Sequence, residues 1–170
     1  MTAKVVTQEE TDAILASWAL RDGVIVWARN ANAGRKIGDP VGFSTRKSGH
    51  RNVFLWVSKK LRGYVYARVV WLLHHKEWPA QEIDHIDCNS QNDSIENLRL
   101  ATRAQNCQNT RYGRANREFK GTYQDKRSGK WNCQIQSNGK VYGQYGFSTP
   151  QEAYAARLQL ASKLHGEFAR

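Results

Sequence analysis

Residues 82–109, EIDHIDCNSQNDSIENLRLATRAQNCQN, combine a dense polar cluster with spaced aliphatic positions. The stretch contains one histidine and five asparagines, and its large aliphatic residues are Ile83, Ile86, Ile95, Leu98 and Leu100. A solvated loop would have no use for these aliphatic side chains, whereas a core would have to desolvate the Asp and Asn groups at a cost in free energy. The pattern therefore predicts polar side chains that are held in place by a small apolar frame.

Turn signals divide this stretch into short elements. Residues 83–86 suit a strand, the turn-rich loop CNSQNDS follows, and residues 97–101 suit a returning strand. Thr102 is suited to be the N-cap of a helix over 103–109. Strand, loop, strand and helix would bring the two ends of the segment together.

Four polar residues of the stretch could form a site for phosphodiester hydrolysis. Asp84 offers a carboxylate and Asn106 an amide oxygen, and such hard ligands suit Mg²⁺ or Mn²⁺. His85 could take a proton from attacking water, since an unperturbed imidazole has a pKa of about 6.5. Asn97 could orient that imidazole by accepting its second N–H.

The same residues resemble a known family. DHIDCNSQNDSIENLRLATRAQNCQN is similar to the core of HNH nucleases, in particular the phage and intron-type homing endonucleases in which Asn replaces the last His. The spacing is specific, because Asn97 follows His85 by twelve residues and Asn106 comes nine further on. The resemblance implies two strands and a helix around one divalent metal held by Asp84 and Asn106, with His85 as general base and Asn97 as its support.

The residues before this motif predict helices and strands. Thr7 and Glu10 form a capping box for a helix over roughly 8–20, and residues 24–30 predict a strand. The strands NVFLWV and YVYARVVW flank SKKLRG, which predicts a basic hairpin turn, and residues 67–75 predict a short buried helix. The run ARVVWLLHHKEWPAQEIDH is also similar to the segment that precedes the HNH motif, although Lys76 and Cys88 stand where that family more often has Gly.

The C-terminal residues predict a separate module. GTYQDK, WNCQIQ and VYGQYGF are three short strands with turns at RSGK and SNGK, and Thr149, Pro150 and Glu152 mark the start of a helix to about His165. The module resembles the ethylene-response-factor type of DNA-binding domain (the APETALA-type fold). That resemblance implies a sheet in the major groove of DNA. The implied DNA contacts are Lys126, Arg127, Lys130, Trp131, Lys140 and Tyr142, although a tryptophan such as Trp131 belongs more often to a core than to a base contact.

The charge of the chain indicates a polyanionic partner. The net charge is +11, and residues 101–170 contain 12 basic and 4 acidic residues. Residues 111–120, RYGRANREFK, predict a basic linker that follows the DNA backbone. Further candidate DNA contacts are Arg103, Arg111, Arg114, Arg117 and Lys120.

Several residues of the motif also have simpler explanations. Arg99 could contact a DNA phosphate or form a salt bridge, and Asp87 and Asp93 are expected to cap turns. No zinc is expected, because the three cysteines form no CxxC pair. No apolar run approaches 18 residues and no signal peptide is recognisable, which predicts a cytoplasmic protein, in a bacterial host cell if it is phage-encoded.

The expected fold class is α+β. It comprises a ββα-metal (HNH) nuclease core with an N-terminal helix and β-strands, followed by a three-stranded antiparallel sheet packed on one helix. The expected boundaries are 1–63 for the N-terminal α/β extension, 64–110 for the nuclease core, 111–120 for the linker and 121–170 for the DNA-binding module.

The leading hypothesis for function is a metal-dependent endonuclease acting on double-stranded DNA, of the phage homing type. The alternative is a non-catalytic DNA-binding or regulatory protein on a nuclease-like scaffold, and composition also permits an RNA-binding or packaging protein. One active site cuts one strand, so either a nicking monomer or a dimer that cuts both strands is compatible with the sequence.

Overall fold

A computed structural model of the protein describes residues 6–30, 34–109 and 119–169. The chain forms two units, Met1–Thr102 and Arg103–Arg170. Both contain helices and small antiparallel sheets, which confirms the predicted α+β class. Every helix among the described residues is too short or too polar to cross a membrane. The domain boundaries expected after residues 63, 110 and 120 stay predictions.

The first unit is built from short elements. In chain order they are α1 (Gln8–Ser17), β1 (Trp18–Arg21), β2 (Val24–Trp27), β3 (Ser44–Thr45), β4 (Arg51–Val57), β5 (Lys60–Val65), α2 (Tyr66–His75), β6 (Glu82–His85), a 3₁₀ turn (Ile95–Asn97) and β7 (Leu98–Ala101). They form the antiparallel sheets β1-β2, β3-β4-β5 and β6-β7. The β4–β5 turn is only Ser58-Lys59, both with positive φ, because Lys60 already pairs with Val57. The predicted hairpin is therefore present with a shorter turn than expected.

Helix α1 begins as predicted but ends earlier than expected. The Thr7 side chain accepts a hydrogen bond from the Glu10 N–H, and the Glu10 carboxylate accepts one from the Thr7 N–H, so the capping box is confirmed. The helix was expected to continue to about residue 20, whereas Trp18 already pairs with Trp27 in a strand. The two indole rings meet edge to face at 6.1 Å, and burial of Trp18 favours the strand over another helical turn.

Helix α2 is the centre of the core of the first unit, as the aliphatic run predicted. Val69, Val70 and Leu72 have no exposed surface, and the helix contacts α1, β1, β4, β5 and the 3₁₀ turn Ile95–Asn97. Leu98 of β7 belongs to the same core. The apolar side of the β6–β7 hairpin is thus held against α2, which positions the polar residues of that hairpin.

Lys76 and Cys88 adopt the backbone conformation that glycine usually supplies. Their φ angles are 62° and 61°, in the left-handed region. Lys76 ends α2 and its N–H donates to the Leu72 carbonyl. The left-handed conformation that glycine adopts easily is therefore present at both positions without glycine.

The second unit has the predicted order of elements. It contains α3 (Arg103–Gln108), β8 (Thr122–Gln124), β9 (Trp131–Ser137), β10 (Lys140–Phe147), α4 (Pro150–His165) and a 3₁₀ turn (Gly166–Phe168). The strands form one sheet in the order β10-β9-β8, and α4 contacts all three. Thr149 and Glu152 form the predicted capping box. Ala153 and Ala156 pack against Cys133, so the small side chains allow close contact between helix and sheet.

Candidate nuclease site

The β6–β7 hairpin brings four of the predicted residues together in the first unit. Asp84 pairs with Arg99 and His85 with Leu98 across the two strands. Asn97 lies in the 3₁₀ turn that leads into β7. Asp84, His85 and Asn97 are all buried, with 3%, 7% and 9% of their surface exposed. Buried polar groups of this kind require specific partners.

Asp84 and Arg99 form an ion pair on one side of the hairpin. The Arg99 Nε donates to Oδ2 of Asp84 at 2.8 Å, and both side chains are largely buried. The pair follows from the register, because the two residues lie directly opposite each other. Of the two alternatives expected for Arg99, the structure contains the salt bridge.

His85 contacts a carboxylate that sequence reasoning assigned to a different role. Its Nε2 lies 2.7 Å from Oδ1 of Asp93. Since an ionised carboxylate can only accept, this contact requires a proton on Nε2, so that Nδ1 is the nitrogen that could act as a base. Asp93 was expected to cap a turn, and that expectation is wrong because its buried carboxylate lies between two nitrogen-bearing side chains, one at each oxygen.

The second of these is Arg51, at the start of β4. Its Nε and Nη2 both approach Oδ2 of Asp93, at 2.9 and 2.7 Å. Arg51 also lies over the Tyr66 ring, with Cζ 4.3 Å from the ring centroid. Arg51, Asp93 and His85 thus form a line of charge-assisted contacts that starts at β4.

His50 is a further aromatic neighbour of His85. The two ring centroids are 5.9 Å apart in an edge-to-face arrangement. Burial lowers the pKa of His50, and the charge of a protonated His85 would lower it further. His50 is therefore neutral near pH 7, while its Nδ1 lies 3.2 Å from Oγ of Ser48.

The Asn97 side chain organises the loop between the strands. Its Nδ2 donates to Oδ1 of Asp87 at 2.9 Å and to the carbonyl of Asn92 at 2.7 Å. Its Oδ1 accepts from the Asp87 N–H at 3.0 Å. Asn97 was expected to accept a hydrogen bond from His85; in the structure this oxygen serves Asp87 and the His85 Nε2 contact is made by Asp93.

The Asp87 carboxylate accepts several hydrogen bonds within the same loop. It also accepts from the Asn92 amide at 2.8 Å and from the Asn89 N–H at 2.7 Å, the turn-capping role expected of it. Burial by itself would raise the pKa of Asp87, but hydrogen bonds from Asn92, Asn89 and Asn97 favour the charged form, and the pKa lies below its usual value.

The remaining predicted site residues lie elsewhere. Asn106 and Arg103 belong to α3 in the second unit, so metal binding by Asp84 together with Asn106 stays a prediction. Arg111, Arg114 and Arg117 fall outside the described residues. Lys120 donates from Nζ to the Gln108 carbonyl at 3.3 Å.

The predicted DNA contacts of the C-terminal sheet are mostly exposed. Lys126, Arg127, Lys130 and Lys140 are exposed, and Tyr142 has 38% of its surface exposed. Trp131 instead packs against the small core around Cys133. The core alternative weighed for Trp131 is therefore the one that the structure contains.

Sequence reasoning missed Arg51, His50 and the role of Asp93. Arg51 lies 42 positions before Asp93, so no local spacing joins them. The available signal was Asp93 itself, a carboxylate eight positions after a histidine and close to the aliphatic Ile95.

This geometry agrees with the comparisons to known proteins. A family model described as HNH endonuclease matches residues 65–108, which include α2, the β6–β7 hairpin and α3. Protein 3.8 of Escherichia phage T7 is 35% identical over 91 residues, which is 52% of this chain and 73% of that protein. The chain belongs to the HNH endonuclease family and is a homologue of this phage protein.

No solved structure matches the chain. The family match ends at residue 108, and the resemblance of residues 121–170 to ethylene-response-factor domains has no support beyond the predicted strands and helix themselves.

Proposed function

We propose that this protein is a divalent-metal-dependent endonuclease that hydrolyses phosphodiester bonds in double-stranded DNA. The observation that carries the proposal is the buried contact between His85 Nε2 and Asp93 within an HNH domain. It directs Nδ1 to the role of base, and the Asp93 carboxylate would stabilise the imidazolium formed when His85 accepts a proton from water. Arg51 is a positioning residue, because it holds Asp93 from the other side.

The donor set fits a hard cation. No group of three or more His, Cys, Asp or Glu side chains within residues 6–30, 34–109 and 119–169 is arranged to hold a metal ion. A site with one carboxylate would rely on amide oxygen, water and phosphate, which suits Mg²⁺ or Mn²⁺ better than zinc. Asp84 and Asn106 would hold the ion, and it would supply charge stabilisation at the phosphate and the leaving 3′ oxygen.

The second unit would supply DNA affinity. Lys126, Arg127, Lys130 and Lys140 are exposed on or beside its sheet, and cations that neutralise phosphates release counterions. The basic residues 111–120 would track the DNA backbone. Two features support a homing role in the cytoplasm of a bacterial host. They are the phage origin of the relative and the HNH-like motif in which Asn106 replaces the last His.

One observation favours a second function. Oδ2 of Asp84, the only carboxylate of the expected metal site, is already paired with Arg99. A non-catalytic DNA-binding protein could retain such an internal pair as a structural element. That alternative predicts salt-dependent binding of duplex DNA without cutting.

The test is cleavage of duplex DNA with Mg²⁺ or Mn²⁺ by the wild type, His85→Ala and the matched control His165→Ala. The proposal predicts cutting by the wild type and by His165→Ala, and at least about a 100-fold loss in His85→Ala. Intact DNA with both metals, or equal cutting by His85→Ala, would refute it. Sequencing the products from a random DNA library would then show whether one long target is preferred, as a homing role requires.

A further inference from the structure

The first unit contains a cleft that the proposed nuclease site does not use. Its volume is about 560 Å³, within the range of small-molecule and cofactor sites. It lies where β2 and the residues after it meet the outer face of the β4–β5 hairpin. The residues that matter for its chemistry are Trp27, Arg29, Arg35, Phe54, Trp56 and Leu61.

One wall of the cleft is an exposed aromatic surface. Phe54 and Trp56 are two positions apart on β4 and therefore share a face, with 44% and 68% of their surface exposed. Leu61 lies opposite Trp56 on β5 and is 53% exposed. A Cβ added to Gly63 would stand 3.0 Å from the Phe54 ring, so the absence of a side chain there lets the ring lie across the neighbouring strand.

The other wall presents two arginines that are held by uncharged partners. Arg29 donates from Nη2 to Oγ of Ser17 at 2.9 Å. The Arg35 guanidinium lies 5.5 Å from the centroid of the Trp27 ring. Among the described residues that line the cleft there is no carboxylate. Both arginines are thus positioned while their positive charge is left for an external anion.

We propose that this cleft binds a segment of single-stranded DNA, with bases stacked on Phe54 and Trp56 and phosphates on Arg29 and Arg35. Flat apolar rings beside uncompensated cations complement a ligand that alternates flat bases with anions, and single strands are bound in this way elsewhere. A duplex hides its base faces, so it could use only the arginines. The choice of DNA rests on the proposed function, since staggered cutting or local opening of a duplex exposes single strands.

The test uses the full chain in EDTA and fluorescence anisotropy with a labelled oligothymidylate of about 12 nucleotides. Trp56→Leu, which keeps an apolar side chain but removes the aromatic face, should raise Kd about tenfold, whereas Trp56→Phe should stay within about twofold. Arg35→Ala should weaken binding by about fivefold, and Arg21→Ala, an exposed arginine outside the cleft, by less than about twofold. An abasic strand of the same length should bind the wild type about tenfold more weakly.

Four outcomes would overturn the proposal. They are wild-type affinity in Trp56→Leu, no preference for the strand with bases, equal losses in Arg35→Ala and Arg21→Ala, and a loss of duplex affinity in Trp56→Leu as large as the loss for the single strand. Concentration-dependent dimerisation that Trp56→Leu abolishes would assign the surface to a second copy of the chain instead. Because Trp56 is exposed, its substitution is expected to leave the fold intact. Thermal melting of each variant checks this.

His85→Ala separates this proposal from the proposed function. It should lose cleavage and keep the affinity for oligothymidylate. A chain that binds the oligonucleotide through Trp56 but never cuts DNA would refute only the nuclease, and a chain that cuts without this binding would refute only the cleft.

Discussion

His85 and Asp93, eight residues apart in sequence, are joined by a buried contact of 2.7 Å between Nε2 and Oδ1. Arg51 approaches the other oxygen of Asp93, so the carboxylate is held from both sides. The ring orientation of His85 therefore depends on a residue of β4 as well as on its own hairpin.

The first prediction concerns this carboxylate. Asp93→Asn keeps the shape of the side chain but removes the charge that would stabilise imidazolium, so we expect kcat for DNA cleavage to fall about 10–100-fold with KM unchanged. Single-turnover kinetics and DNA binding are the measurements. Asp22→Asn, at an exposed turn position with φ of 49° that Asn tolerates, is the matched control. A rise in KM alone would assign Asp93 to DNA binding.

The second prediction concerns Asp84. Asp84→Asn removes the carboxylate proposed to hold the metal and releases Arg99 from its ion pair, so turnover should fall at least about 100-fold. DNA affinity should stay the same or increase, because a negative charge has been removed. Cleavage measured over a range of Mn²⁺ concentrations, beside filter binding without metal, checks both. Loss of DNA affinity equal to the loss of turnover would contradict the assignment.

The third prediction concerns the loop. Asn97→Ala leaves half-buried groups of Asp87 and Asn92 without these partners, and we expect the free energy of unfolding to fall by about 1–3 kcal/mol. Asn97→Asp should be worse at neutral pH, because a second carboxylate would face Asp87. Gln91→Ala, at an exposed position of the same loop, should stay within about 0.5 kcal/mol of the wild type. Urea titration provides the values, and equal stability of the three variants would refute the role of Asn97.

The fourth prediction concerns acid stability. The pKa of Asp87 is lowered in the folded protein, so the unfolded chain binds more protons at acid pH and the stabilisation is present above the unfolded pKa of about 3.9. It is lost as the pH falls through the lower, folded value. The difference in unfolding free energy between the wild type and Asp87→Asn should therefore shrink below about pH 4. A difference that is constant from pH 6 to acid conditions would show that the charge of Asp87 contributes nothing.

The fifth prediction concerns the second unit. Lys126 and Lys130 are exposed beside the turn that leads into β9. Replacing both with Ala should weaken duplex binding at low salt and reduce the slope of log K against log salt concentration by about 1 for each phosphate that is no longer neutralised. Turnover of bound DNA should be unchanged. An unaltered salt dependence would mean that Lys126 and Lys130 do not contact DNA phosphates.

Local signals predicted most of the fold. Both capping boxes, at Thr7 and at Thr149, were readable because a cap depends on residues three positions apart. The end of α1 could not be predicted in this way. It depends on the pairing of Trp18 with Trp27, a tertiary contact that overrides helix propensity.

The candidate site likewise contains residues that local spacing predicts and contacts that only tertiary packing determines. The DH pair and the asparagine spacing identified the hairpin. The Arg51–Asp93 contact joins residues 42 positions apart, and its existence depends on how β4 packs against the hairpin. The partner of Arg99 could be narrowed only to two alternatives, because the register of β6 and β7 decides between them.

The loop that Asn97 and Asp87 organise has a consequence for the order in which the chain folds. Its side-chain hydrogen bonds join residues ten or fewer positions apart, and such low contact order allows closure before distant segments meet. We therefore expect the hairpin to be structured in the transition state, so that Asn97→Ala slows folding. Arg51→Ala should mainly speed unfolding, because the contact between Arg51 and Asp93 joins residues 42 positions apart and should form after the transition state.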